Sequence, residues 1–206
     1  MTLTRVLIPI LFTPAGMGLL LQAFSSASTA DTLLAIALAL FCPELARMAI
    51  VDLENVAAIA NRLAENCSQT EISALQQDSR LLRFYRVVIS TIVLETTGFY
   101  IALWSLVFGA AIVIVSQLWF NLLAGIQLWP QAAQPITSFG IVDRSLVLIA
   151  NVLGLGMLLV WPIEMLRLYA AVGLLLLILL FLAIKYTLPA AQPQPPSENS
   201  SHSNLN

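Results

Sequence analysis

The most constraining feature of this sequence is the long apolar stretch from Val87 to Trp129, in which Glu95 is the only charged side chain. A soluble fold has no need of such a stretch, whereas a bilayer core of about 30 Å is crossed by about 20 apolar helical residues. The stretch is therefore predicted to lie in a membrane. Glu95 then becomes a carboxylate at a depth where charged groups are costly.

The composition of the whole chain agrees with a membrane protein. Of the 206 residues, 59% are hydrophobic and 10% are charged, whereas about 25% of the residues of a soluble domain are charged. The net charge of −2 excludes a strongly basic nucleic-acid binder. The predicted fold class is all-α: a polytopic membrane helical bundle of about five spans, with six possible, and a cytoplasmic helical hairpin.

Residues 1–43 are predicted to form an N-terminal membrane hairpin. The uncharged segment Val6–Phe24 is long enough to span, although Pro9 and Pro14 lie inside it. A cleaved signal peptide ending near Ala30 is the alternative interpretation. Thr32–Pro43 is too short to cross alone. It is predicted to be a kinked second span that continues towards Val51, or a re-entrant segment that turns at Pro43.

Residues 44–86 are predicted to form a cytoplasmic amphipathic helical hairpin. Glu44 and Arg47 are spaced to pair at i,i+3 near the lipid headgroups. Ser68 and Glu71 match a capping box, which would restart a helix after a break near Asn66. Apolar residues share one helix face over the first arm: Leu45, Ala49, Leu53, Val56, Ala60 and Leu63. This surface could dock a partner, or the two arms could simply pack on each other.

The positively charged residues predict the orientation. Arg80, Arg83 and Arg86 fall one turn apart just before the long apolar stretch, and such residues favour the cytoplasmic side. Of the nine Lys and Arg residues, five spans place seven on the side of the N-terminus and six spans place eight there. Both counts put the N-terminus and the hairpin in the cytoplasm. The side of the C-terminus stays open.

Residues 87–188 are predicted to form the C-terminal transmembrane helices, followed by a disordered tail over 189–206. One long span is expected to about Val115, then an interfacial helix to Trp129, with two spans joined near Gln117 as the alternative. Small residues recur on one face of the long span and predict close helix packing: Thr91, Gly98, Ala102, Ser105 and Gly109. Glu95 falls on the same face and should point into the bundle.

Glu95 is the leading candidate for a binding residue. Intramembrane carboxylates are paired, protonated or turned towards water, and Asn151 and Arg167 are the candidate partners by residue type. A proton or cation site is the functional interpretation. A buried hydrogen bond that locks several spans together is the structural one, and the sequence favours the latter.

Catalytic motifs are absent from the sequence. Lys185 is the only lysine, which excludes a phosphate-binding loop of the GxxxxGK type. His202 is the only histidine and lies in the tail, so catalysis by a nucleophile and histidine is not expected. Cys42 and Cys67 are isolated and form no disulfide or zinc framework. The chain is therefore expected to be no enzyme and to bind no cofactor or metal.

Two classes of function remain. The favoured one is a non-catalytic assembly, scaffold or accessory subunit that docks a partner through the 44–86 helices. The alternative is a small transporter or channel subunit that uses Glu95. The expected partners are the lipid bilayer and either another protein or a second copy of this chain. The preference for arginine over lysine favours a bacterial inner membrane or another internal energy-coupling membrane.

The orientation generates a direct prediction. In a variant whose native cysteines are replaced by alanine, Gln76→Cys should resist a membrane-impermeant thiol reagent in intact cells, because Arg80, Arg83 and Arg86 hold this segment in the cytoplasm. Labelling is measured on intact and on permeabilised cells, and only the permeabilised cells should react. Ready labelling of intact cells would overturn the orientation.

Overall fold

The structure is a computed structural model that describes residues 3–67, 78–132 and 134–187. The capping box of Ser68 and Glu71 and the tail over 189–206 lie outside the described residues. The spans are identified by length and composition, so the side of the membrane on which each connection lies stays a prediction.

Six α-helices make up most of the described chain, which is 84% helical. Each is long and apolar enough to cross a membrane. The fifth reaches that length together with the 3-10 turn Val142–Arg144 that precedes it. The all-α class is confirmed, and there are six candidate spans rather than about five. The helices are α1 (Leu3–Ser25), α2 (Thr29–Cys67), α3 (Ser79–Ala102), α4 (Leu106–Leu123), α5 (Ser145–Leu159) and α6 (Glu164–Thr187).

Helix α2 is continuous, so the prediction of a re-entrant turn at Pro43 is wrong. Ser28 starts the helix by accepting a hydrogen bond from the backbone N–H of Asp31, as an N-cap residue does. The helix then runs for 39 residues, about 58 Å at 1.5 Å per residue. The predicted domain boundaries at 43/44 and 86/87 both fall inside continuous helices, α2 and α3.

Helix α2 is also the central element of the bundle. It packs against α1, α3, α4 and α6. Over the most apolar 18 residues of α2, 56% of the residues are buried. Over Val142–Leu159, which contains α5, 17% are buried. Leu34, Leu45 and Ile59 are among its fully buried side chains. The outer helices therefore surround α2, and their own outward faces carry most of the exposed leucine and isoleucine.

The predicted single span after Val87 is in fact a tight helical hairpin. Helix α3 ends at Ala102, and α4 begins at Leu106 after a short turn in which Ser105 is the N-cap residue. Neither the interfacial helix to Trp129 nor the alternative turn near Gln117 is present. The chain turns instead at 103–105, where backbone N–H groups of the turn bond to carbonyls of the last turn of α3.

The predicted small residues face each other across this hairpin. A Cβ atom on Gly109 would lie 2.4 Å from the Cα of Ala102, and one on Gly98 would lie 3.1 Å from the carbonyl oxygen of Gly109. The backbones thus approach as closely as small residues permit. Thr91 is buried two turns before Gly98 in α3. Ser105 lies in the turn after α3 and is only half-buried.

A small β-hairpin follows α4, and its first strand lies where the interfacial helix was predicted. Gly125 adopts a left-handed conformation, with φ of 63°, and β1 (Ile126–Leu128) then pairs antiparallel with β2 (Ile136–Ser138). Arg144 donates hydrogen bonds to the carbonyls of Phe120 and Asn121. Both carbonyls belong to the last turn of α4, where helical partners run out. The Phe120 carbonyl also accepts from the backbone N–H of Ala124.

The close contact of α3 and α4 predicts a contrast between two glycines. Gly109→Ala should destabilise the protein by about 1–3 kcal/mol, because the added methyl group meets backbone atoms that cannot easily move. Gly156→Ala is the matched control, since no atom lies within 4 Å of the added Cβ. The control should be neutral or slightly stabilising. The measurement is thermal unfolding in detergent, and equal effects would mean that the contact is not tight.

Candidate functional site

Glu95 lies inside the bundle, as the small-residue face predicted. It projects from α3 and is only 3% exposed. Its carboxylate accepts a hydrogen bond of 2.5 Å from the side-chain amide of Gln117 on α4, which is itself 6% exposed. The two residues are brought together because the α3–α4 hairpin has its tightest contact at Gly98 and Gly109.

A second acid lies beside Glu95. Asp52 projects from α2 into the same small cavity, which also receives Thr91 from α3 and Gln117 from α4. We call this space the acidic cavity; its volume is about 20 Å³. The Asp52 and Glu95 carboxylates repel each other when both are ionised, and neither forms an ion pair among the described residues.

The acidic cavity also contains an unsatisfied hydroxyl group. Thr91 is 5% exposed, and its Oγ1 atom has no hydrogen-bond partner among the residues that the structure describes. Leaving a buried polar atom unpaired costs about 1–3 kcal/mol. Most buried polar groups in proteins do find a partner, so the Thr91 hydroxyl keeps the capacity to bond a water molecule or a ligand.

Neither predicted partner of Glu95 is bonded to it. Arg167 lies at the start of α6, where its side chain donates to the carbonyl of Trp161 in the preceding turn. Asn151 lines a different cavity of about 220 Å³ among α2, α4, α5 and α6, whose walls are almost entirely apolar. The partner is Gln117, which lines both cavities. Whether Glu95, Asn151 or Arg167 binds anything stays a prediction.

A third buried acid is fully paired. Glu44 on α2 is 5% exposed and forms the predicted i,i+3 bond with Arg47, at 2.8 Å. It also accepts from the Tyr186 hydroxyl at 2.6 Å and pairs with Lys185 at 2.5 Å. These four side chains tie the middle of α2 to the end of α6. Because its donors are already present, Glu44 needs no ligand.

Sequence reasoning missed Asp52 and Gln117 as members of the site. Asp52 had a detectable signal, since it follows Leu45 and Ala49 at spacings of seven and three and precedes Val56 by four. It therefore interrupts an apolar helix face. Gln117 had no such signal. Its contact with Glu95 depends on where the chain turns between α3 and α4.

The donor set limits which ligands are plausible. In the described residues, no group of three or more His, Cys, Asp or Glu side chains is arranged to hold a metal ion. The acidic cavity offers hard oxygen atoms from two carboxylates, one hydroxyl and one amide.

Comparison of the chain with protein-family models, with curated proteins and with solved structures finds no match.

The Glu95–Gln117 bond predicts a graded mutational response. Glu95→Gln keeps an oxygen that can accept from Gln117, so stability should change little. Glu95→Leu strands the buried amide and should cost about 1–3 kcal/mol. The double variant Glu95→Leu with Gln117→Leu should recover part of that loss, because no polar group is then left unpaired. Thermal unfolding in detergent measures all three, and a Glu95→Leu variant as stable as the native protein would contradict the bond.

Proposed function

We propose that this chain is a multi-pass membrane protein that acts as a small transporter or channel subunit for a small cation. The observation that carries the proposal is the meeting of Asp52 and Glu95, from two different helices, at one cavity in the bundle. The membrane part of the proposal rests on six long apolar helices and on their outward faces, where large apolar side chains such as Leu176 and Leu180 are exposed.

The charge distribution supports a definite orientation. With six spans, one side of the proposed membrane contains the start of α1, the end of α2, the start of α3, the end of α4, the start of α5 and the end of α6. Eight of the nine Lys and Arg residues belong to that side, and only Arg167, near the 160–163 turn, belongs to the other. The positive-inside rule then makes the first side cytoplasmic.

Two acids inside a bilayer are difficult to explain as structural elements. On insertion scales a charged side chain near the centre of a membrane helix costs about 3 kcal/mol. Residues that are kept at such a cost commonly serve ion or proton pathways. The cost of burying the Glu44 carboxylate is offset by hydrogen bonds from Arg47, Lys185 and Tyr186. Asp52 and Glu95 instead share a cavity that no cationic side chain lines.

The two acids differ in their access to solvent. Asp52 is half-buried, and Glu95 is fully buried behind it. One turn further along α3, Phe99 is 0% exposed, as is Val113 on α4. A cation is therefore expected to enter past Asp52 from the proposed cytoplasmic side. Release to the other side would require the α3–α4 hairpin to move relative to α1 and α2.

The docking function predicted for residues 44–86 has weaker support. Strong protein interfaces rely on a few large apolar or aromatic anchors. Among the described residues of this segment, Val51 is the large hydrophobic residue that is exposed, at 40%. About half of its described apolar residues, such as Val56, Ile59 and Leu81, are buried within the bundle. Docking through these helices therefore stays an untested prediction.

Cation flux in liposomes tests the proposal. The purified protein is reconstituted into liposomes that contain a pH dye or a sodium dye, and a membrane potential is then imposed. The native chain should carry a cation inward. Glu95→Gln should abolish that flux at unchanged stability, because the amide keeps the bond to Gln117 but carries no charge.

Glu164→Gln is the control for the flux measurement, since Glu164 is exposed at the other end of the bundle. This variant should carry the cation at the native rate. Absence of any flux from the native chain, or native flux from Glu95→Gln, would overturn the proposed function.

A further inference from the structure

We propose that the acidic cavity is a binding site for one Na⁺ ion, held by Asp52, Glu95 and Thr91. The inference builds on the proposed function, because it names the cation, but binding can be measured without any transport. The site combines residues from α2 and α3 with Gln117 of α4. Its occupation would therefore join three helices of the bundle.

The volume of the cavity suits a single small occupant. It measures about 20 Å³, and about 10–15 Å³ is enough for one water-sized particle. A Na⁺ ion stripped of its hydration shell fits such a space, and so does a bare K⁺ ion, which is about as large as a water molecule. Two carboxylates in one site favour the smaller Na⁺, because their oxygens approach its charge more closely. An organic cation is excluded by size. The neighbouring apolar cavity of about 220 Å³ is large enough for one, but almost all of its surface is apolar.

The oxygen atoms around the cavity match the needs of Na⁺. The amide nitrogen of Gln117 donates to one carboxylate oxygen of Glu95, which leaves the other oxygen for a ligand. Asp52 forms no ion pair. The unpartnered Oγ1 atom of Thr91 adds a neutral oxygen. A bound cation would satisfy that hydroxyl and reduce the repulsion between the carboxylates.

Other occupants fit these observations less well. Ca²⁺ takes six to eight oxygen ligands, more than these few side chains supply. Mg²⁺ usually keeps several of its waters, and a cavity of about 20 Å³ has no room for them. A proton shared by the two acids would reduce their repulsion but would leave the cavity of about 20 Å³ unfilled. A water molecule would satisfy the hydroxyl but would add no positive charge between the carboxylates.

The charges around the site come from several helices. Asp52 is attracted by Lys185 of α6, by Arg144 at the start of α5 and by Arg47 of its own helix. None of these cations lines the acidic cavity. Glu95 interacts electrostatically with Asp52 and with the thiol of Cys42. These positive groups thus lower the free-energy cost of burying the Asp52 charge, and they leave the cavity open for the ion.

The test is sodium binding by the full chain in detergent. Equilibrium binding of radioactive Na⁺ should give one ion per chain. Replacing choline chloride by sodium chloride at constant ionic strength should raise the unfolding temperature by about 3 °C or more. Potassium chloride should have a much smaller effect.

Two threonine variants make the test specific. Thr91→Val keeps the shape of the side chain but loses the oxygen, and it should weaken Na⁺ binding by about tenfold, the effect of losing one modest ligand. Thr91→Ser should restore binding. Thr96→Val is the matched control, because Thr96 lies on the same helix and its Oγ1 atom is also unpartnered, yet it does not line the cavity.

The outcomes separate this inference from the proposed function. Equal unfolding temperatures in sodium and choline, or a sodium response that survives in Thr91→Val, would overturn the sodium site. Proton flux without sodium binding would overturn it too, while leaving the transport function intact. Sodium binding without any flux would support the site and overturn transport.

Discussion

The close approach of α3 and α4 at Gly98 and Gly109 is the contact on which the rest of the structure depends. Because these residues have no side chains, the two backbones touch and the register of the hairpin is determined. That register brings Gln117 opposite Glu95, and it directs both towards α2. A wider separation would leave a buried carboxylate without its amide partner.

Around this hairpin the buried acids fall into two kinds. Glu44 is surrounded by Arg47, Lys185 and Tyr186, so its charge is balanced where it stands. Asp52 and Glu95 instead meet each other at a small cavity beside an unpartnered hydroxyl. Low-polarity surroundings make unpaired polar groups expensive. This cost is the reason why we propose a ligand for the pair of acids.

The central position of α2 explains how both kinds of acid arise in one small bundle. This helix contacts four others, so its polar residues cannot all reach solvent. Glu44 faces α6 and Asp52 faces the α3–α4 hairpin, eight residues further along the same helix. The helix thus connects a balanced ion-pair cluster to the candidate cation site.

The sequence by itself determined the helical class, the burial of Glu95 and the small residues that allow close packing, because composition and helical periodicity depend on local spacing alone. It also predicted the Glu44–Arg47 pair, whose members lie one turn apart. Only the tertiary structure decided that the chain turns at 103–105, that Pro43 leaves α2 unbroken, and that Gln117 rather than Arg167 meets Glu95. These features depend on which helices pack together, and residues such as Asp52 and Glu95, far apart in the chain, become neighbours only through that packing.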